Sequence, residues 1–392
     1  MTATDRRARL AAAFDSMAAG DAAAFLAMIA PEVAYRVIGT TQFSGLFQGK
    51  DVVLEQLFAP LTAALTGPLR LEPEQMIADD AHVVVQAHGH AALRSGARYD
   101  NTYCFVFRFD REQIVAITEY LDTALVTRAF GVPDTRGELL RRMDLNMWAM
   151  FAEMTRLCRG GALRQTARYT LCYSPRGTPF HNMVMVEDGA AVDEVLAAAA
   201  DFFGASSRIY SVWTREHADE AFETTLRQRG FSERLRMPGM ALLADPGTRC
   251  APPGLEVRPV TEERTRHDFQ AVCAAAYATY GSPPDYTRDA FATLDSLCAP
   301  HIQGFVGYAA DTPAATAALY LTHGVAGIAW VGTMPEYRNR GFGEAVTWAT
   351  VREGLRRGAC FANLQASPMG RPIYERMGFV TPTSYRVLVP QR

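Results

Sequence analysis

Apolar residues recur at helical spacing between Arg6 and Ile29, at Leu10, Phe14, Met17, Phe25 and Ile29. The break at Gly20-Asp21 predicts one helix ending and a second capped there. A further helical stretch follows Lys50-Asp51 and runs to Leu65. Strand-like runs then cover His82–His90, Tyr99–Arg108 and Gln113–Tyr120, the last two joined by the turn Phe109-Asp-Arg-Glu112. Helices followed by a meander predict an α+β unit.

Beyond residue 137 the pattern occurs twice. A hairpin, Ala167–Tyr173 and His181–Val186 around the turn Ser174-Pro-Arg-Gly177, leads into a helix over Val192–Phe203. Farther on, strands over Gly304–Tyr308, Ala314–Leu321 and Ala326–Thr333 lead into a helix from Gly343 to Arg357. Both stretches close alike, with a short helix, a glycine and a final strand. These are Leu226-Arg-Gln-Arg-Gly230-Phe231 before Leu235–Leu243, and Tyr374-Glu-Arg-Met-Gly378-Phe379 before Ser384–Val389. Pro- and Gly-rich segments at Gly131–Gly137 and Asp245–Gly254 separate the parts. The expected domains are therefore 1–132, 133–250 and 251–392.

Composition narrows the function. The 392 residues are 49% hydrophobic and 21% charged, enough for two or three cores. Thirty-nine basic against 42 acidic residues give a net charge of −3, which supplies no general field for nucleic acid or anionic lipid. Lys50 is the only lysine, and alanine is abundant, as in chains from GC-rich bacterial genomes. The seven cysteines (Cys104, Cys158, Cys172, Cys250, Cys273, Cys298 and Cys360) show no metal-ligand spacing and read as reduced residues. Without an apolar run of membrane length or a signal-type leader, a cytoplasmic location with no metal is expected.

One segment carries chemistry. In Trp330-Val-Gly-Thr-Met-Pro-Glu-Tyr-Arg338-Asn-Arg340-Gly341-Phe-Gly343, an apolar strand gives way to two glycines that open an amphipathic helix. Close backbone approach at a helix N-terminus, with Arg338 and Arg340 beside it, suits a pyrophosphate. Together with the strand Ala359–Ala366 and Tyr374 downstream, residues 254–392 resemble the GNAT superfamily of acyl-CoA-dependent N-acetyltransferases. The resemblance implies acetyl-CoA as co-substrate. Arg338, Asn339, Arg340, Gly341, Phe342 and Gly343 would form the pyrophosphate loop, and Val331-Gly332-Thr333 the strand that pairs with the pantetheine arm and holds the oxyanion. Tyr374 would be the general acid that protonates the departing thiolate. The general base stays open between His301, His323, Glu336 and a water chain. Acceptor contacts are expected from Tyr277, Tyr280 and Tyr286 around Gly281-Ser-Pro-Pro284, or these aromatics only pack the core.

In the first copy the equivalent junction is Val186-Glu187-Asp188-Gly189-Ala190, two carboxylates where a pyrophosphate would need cations, and Leu226 stands opposite Tyr374. It is expected to be a degenerate, non-catalytic GNAT-like repeat. The N-terminal part, through Ile29–Tyr35, Phe47–Asp51, Tyr99–Arg108 and Ile117–Asp122, resembles SnoaL-like domains of the ketosteroid-isomerase/nuclear-transport-factor superfamily. That implies an α+β cone with an apolar pocket, and a possible homodimer through its sheet. Gln86, His88 and His90 alternate onto one strand face, and with Glu119 they are expected to line that pocket as a hydrogen-bonded set, with a buried His88–Glu119 acid/base pair as the alternative. The fold class is thus α+β multidomain: a SnoaL-like cone followed by two mixed-sheet GNAT-like units. The leading function is acetyl transfer to an unidentified amine. The alternatives are a non-catalytic acyl-CoA or small-molecule sensor, and a cyclase or isomerase in the N-terminal unit.

Overall fold

A computed structural model describes residues 2–19, 21–39, 41–94, 96–130, 136–204, 209–243 and 251–391. Both predicted boundary segments lie largely outside these residues, as do Gly20 and Cys250. The described residues fall into two compact units, 1–132 and, apart from residues 165–167, 133–392.

In the first unit, helices α1 (Ala3–Ala18) and α2 (Ala23–Met28) come first. Thr2 and Asp5 form a reciprocal cap on α1, and the Asp21 carboxylate accepts from the Ala23 amide at the start of α2. Strands β1 (Ile29–Val37) and β2 (Gly45–Gln48) follow, then a helical run of α3 (Lys50–Val52), a π-helical turn and α4 (Ala59–Ala64). Strands β3 (Arg70–Ala78), β4 (His82–Ala92), β5 (Arg98–Asp110) and β6 (Gln113–Leu121) and helix α5 (Thr123–Phe130) complete the unit. The sheet order is β2-β1-β6-β5-β4-β3, antiparallel except where β1 runs parallel to β6. Val83, Val85 and Ala87 on β4 and Tyr103, Phe105 and Phe107 on β5 turn inward onto Leu10, Phe14 and Phe25. Alternation with a period of two fixes which residues face out.

The second unit opens with the 22-residue α6 (Arg136–Leu157), which the apolar pattern did not predict. Strands β7 (Ala162–Gln165), β8 (Tyr169–Tyr173) and β9 (Met183–Val186), helix α7 (Val192–Gly204), strand β10 (Ser211–Arg215), helix α8 (Glu220–Gln228) and strand β11 (Phe231–Leu242) make up the first repeat. The second contains β12 (Leu255–Pro259), α9 (Glu263–Ala278), α10 (Pro284–Ala290), β13 (Cys298–Ala299), β14 (Ile302–Ala309), β15 (Thr312–Thr322), β16 (Val325–Thr333), α11 (Phe342–Arg356), β17 (Phe361–Gln365), α12 (Arg371–Arg376) and β18 (Val380–Pro390). Helix, meander, helix, strand, short helix and strand recur in the same order.

The repeats do not own separate sheets. One sheet runs β12-β14-β15-β16-β17-β11-β18-β10-β9-β8-β7. β11, the last strand of the first repeat, pairs with β17 of the second, while β18, the last of the second, pairs with β10 of the first. Each repeat has lent its closing strand to the other. Helix α6 is tied to the second repeat: Asn146 donates to Thr322 Oγ1 at 2.9 Å and to neighbouring carbonyls, and Arg142 donates to the carbonyls of His323 and Gly324.

Candidate active site

β16 and β17 run parallel and pair only through Val325–Gly327 and Phe361–Asn363. Beyond Gly327 the strands diverge, so six residues of β16, Ile328–Thr333, have no ladder partner on that side. An opening inside a sheet at the carboxyl ends of parallel strands is where α/β folds take ligands. Its unpaired main chain offers the hydrogen bonds that an extended amide-bearing arm uses. On its other side β16 pairs with β15, and its register shifts between Thr316 and Ala318. Trp330 sits at this irregularity with φ of 55°, left-handed for a bulky residue. Thr316 Oγ1 donates to the Trp330 carbonyl at 3.0 Å, and the Tyr277 phenol donates to the Val331 carbonyl at 3.3 Å.

At the end of β16 the chain turns through Asn339, with φ of 62°, to Gly341, the N-cap of α11, with φ of 76°. A side chain at Gly341 would be strained by that φ and would meet Pro252. The first intrahelical bond is Ala345 N–H to Gly341 C=O, so the preceding amides point out of the helix end. Arg338 donates weakly to Thr333 O and Thr279 Oγ1, both at 3.4 Å, and Arg340 lies over the Tyr337 ring. Among the described residues neither arginine makes an ion pair. The helix dipole and two uncommitted guanidiniums make this end a site for a polyanion.

Tyr374 on α12 is buried. Burial pushes the phenol above its ordinary range, and the nearby Tyr280 phenol adds to it. Tyr277 is raised likewise, by burial first, with Cys273, Tyr374 and Tyr280 contributing. Such phenols stay protonated at neutral pH.

The base candidates fare differently. His301 precedes β14 and His323 forms the β15–β16 turn. Both lie beside the start of β16, about five residues or roughly 16 Å along the strand from Val331. His301 is held by Glu153 at 2.8 Å. These two are therefore excluded as the base, since both stand at the far end of β16 from the cleft. Glu336 is exposed in the turn before the loop. Of the acceptor aromatics, Tyr277 and Tyr286 both stand by Trp330, with ring centroids 5.1 and 6.1 Å away, Tyr280 packs on Tyr277, and Tyr286 also lies against His181 at 3.7 Å.

In the first repeat, β9 and β10 are parallel and paired through Met185 and Trp213. Where a cleft would open, the buried Arg215 guanidinium meets Asp188 and Asp219 at 2.8 Å, Asp144 at 3.7 Å and Glu187 at 3.8 Å. Burial drives the Glu187 carboxyl up to about 8, against the pull of Arg215. Tyr385 and His217 close the cluster by bonding Asp144 at 2.7 and 3.0 Å. Leu226 is fully buried in the local core. Arg215 gave no sequence signal, because nothing near it in the chain marks it as buried.

In the first unit, Gln86 and His88 lie exposed on the outer face of β4, His88 beside Glu74. Glu119 pairs across the sheet with Phe105 and Val37, both inward. The expected grouping of Gln86 and His88 with Glu119 is thus corrected: the alternation was right, but Val83, Val85 and Ala87 claim the core side. Glu119 instead accepts from Tyr35 OH at 2.6 Å, near a second phenol pair in which Tyr103 donates to Tyr99 at 3.1 Å. Sequence reasoning missed these tyrosines, although Tyr99 and Tyr103 sit on a strand it had marked. Burial raises Glu119 to about 7, with the Tyr35 bond opposing.

Among the described residues no three His, Cys, Asp or Glu are grouped to hold a metal, and no helix is long and apolar enough to cross a membrane. The six described cysteines are free.

The splayed parallel strands and the glycine-capped helix lie in the part of the second unit that matches a known family. Residues 269–379 match the family profile of the acetyltransferase (GNAT) family, and residues 10–117 that of the SnoaL-like domain. The chain carries one domain of each family. A GCN5-related N-acetyltransferase from Kribbella flavida is 20% identical, with a TM-score of 0.50 over 64% of this chain and 95% of that one. At this identity the likeness is one of fold. A GCN5-related N-acetyltransferase from Sphaerobacter thermophilus matches at 15% identity and TM-score 0.43, over 57% of this chain and 80% of its own. An NTF2-like protein of unknown function from Burkholderia pseudomallei matches at 20% and 0.29, over 32% and 95%. No curated protein matches the chain.

Proposed function

We propose that the protein is an acetyl-CoA-dependent N-acetyltransferase with one working site per chain. The observation that carries this reading is the divergence of β16 from β17 beside the Gly341-capped start of α11. Acetyl-CoA lays its pantetheine arm along Val331-Gly332-Thr333 and its pyrophosphate on the amides of Gly341, Phe342 and Gly343. Arg338, Asn339 and Arg340 flank the phosphates. The amine attacks the thioester carbonyl directly, main-chain amides of the bulged strand hold the oxyanion, and Tyr374 gives its proton to the departing thiolate. Repeat one is a scaffold: the carboxylate-bound Arg215 occupies its cleft. Calorimetric titration with acetyl-CoA tests this, with one site per chain and CoA thiol release on adding amines as the expected result. Two sites would overturn the scaffold role, and no binding would overturn the loop assignment.

A second reading applies to the SnoaL-like unit alone and is favoured by the Tyr35–Glu119 bond. A carboxyl near neutrality, bonded to a phenol on the inward sheet face, is suited to move a proton on a small apolar ligand. Loss of an isomerase or cyclase activity in Glu119→Gln, with acetyl transfer retained, is the outcome that supports it.

A further inference from the structure

The bulge in β16 is held by side chains that the acetyl-transfer steps do not use. Thr316 pairs with Gly332 and Ala318 with Ala329, so Ala317 of β15 stands opposite two residues of β16, Trp330 and Val331. The extra residue puts Trp330 at φ of 55° and takes its carbonyl out of the ladder. That carbonyl accepts instead from Thr316 Oγ1 at 3.0 Å, and Thr316 is fully buried. A hydroxyl has one proton to give. The second contact of Thr316 Oγ1, 3.4 Å from Cys273 Sγ on α9, is therefore an S–H donated to the oxygen. Burial pushes the Cys273 thiol up to about 12, which keeps that proton in place. The Trp330 ring packs against Phe291 and Tyr277, at 4.9 and 5.1 Å between centroids, and a Cβ on Gly332 would come within 2.9 Å of Ala276. β16 thus lies hard against α9 where the bulge falls.

Resting on the acetyl-transfer reading above, we propose that Thr316 is a positioning residue whose hydroxyl, backed by Cys273, aims the Val331 N–H into the opening between β16 and β17, at the thioester oxygen. A trans peptide is planar and sets its C=O and N–H in opposite directions, and none of the described peptides is cis. With the Trp330 carbonyl turned to Thr316 on β15, the Val331 N–H points away from β15, to the side from which β17 has diverged. No proton or group passes through Thr316. Its part is to hold a donor in place before charge develops on the thioester oxygen, since a donor aimed in advance costs no reorganisation in the transition state. Without the hydroxyl, the Trp330 carbonyl loses its donor and the left-handed residue its tether, so the peptide relaxes toward a regular strand.

The test is infrared difference spectroscopy of acetyl-CoA, isotopically labelled at the thioester carbonyl and bound to the full chain without an amine, with affinities measured by calorimetry. In the parent the bound carbonyl stretch falls below that of free acetyl-CoA, as a hydrogen bond from the Val331 amide requires. Thr316→Val keeps the shape without the hydroxyl. It loses most of that shift while acetyl-CoA affinity stays within about threefold, and Thr316→Ser restores the shift. Thr316→Ala, smaller still, takes its place where the valine variant does not fold. An undiminished shift in the variants without a hydroxyl, or no shift in the parent, overturns the inference and leaves the acetyl-CoA site standing. A shift lost only together with about tenfold or more of the affinity overturns it too, because Thr316 then builds the seat of the whole ligand. Absence of acetyl-CoA binding by the parent overturns the acetyl-transfer reading itself.

Discussion

Gly341, Tyr374 and Glu119 act through different physics, and substitutions separate them. Gly341→Asp adds a side chain at φ of 76° and an anion where phosphates bind, so acetyl-CoA affinity should fall at least about 100-fold, or about 2.7 kcal/mol, by calorimetry. Tyr374→Phe keeps the packing and removes only the proton. It should lower kcat by about 10²–10⁴-fold while the KM for acetyl-CoA stays put, as steady-state kinetics would show. Glu119 bears on stability. Its folded pKa of about 7 lies above the ordinary 4.5, so the folded state holds the proton more tightly, and stability is lost as pH rises between those values and is level above them. Glu119→Gln removes that loss. Urea unfolding should find the variant and the parent alike near pH 4 and the variant ahead by up to about 3 kcal/mol above pH 7. Residue identities were legible where local geometry announced them, as with the two glycines at 341 and 343. His88 was misread because strand alternation gives two faces and does not say which is inward. Val83, Val85 and Ala87 on one face against Gln86, His88 and His90 on the other settle that, and they were in the sequence to be read.

The two strand-to-helix junctions show how one element serves or fails a ligand. After Gly327 the main chain of β16 is open on its β17 side. After Met185 the space is filled by Arg215 and four carboxylates. Buried charges of this kind are held by their mutual compensation, so removing the single cation costs more than it frees. Arg215→Met should therefore lower stability by about 3–5 kcal/mol in denaturant titration without creating a second acetyl-CoA site. The sequence showed the lack of a pyrophosphate site through Glu187 and Asp188, but not the closed cleft, because the partners Asp144, Arg215 and Asp219 come from distant or unmarked segments. Helix α6 escaped notice for a related reason. It buries Arg142, Asp144 and Asn146 along with its apolar residues, so no polar face marks its period.

The element order of the two repeats could be read from the chain, but their exchange of closing strands could not. Both are a helix, a glycine and a strand, and pairing β11 with β17 or with β10 looks the same in one dimension. The exchange has a consequence for the whole chain. β17, which forms one wall of the cleft, is held on its far edge by β11, a strand of the first repeat, with Gly239–Leu242 opposite Ala362–Gln365. A fragment starting at residue 251 loses that strand and α6, which holds the β15–β16 turn through Asn146. It leaves β17 and β18 with unpaired edges and core residues such as Leu364 and Tyr385 uncovered. A fragment of residues 133–392 keeps both repeats and the closed sheet. It should unfold cooperatively and bind acetyl-CoA within about twofold of the full chain, because its core is its own. The fragment 251–392 should give no cooperative melt by circular dichroism and no calorimetric signal with acetyl-CoA. If 251–392 melts cooperatively and binds, β11 is dispensable and the first repeat is not the scaffold of the site.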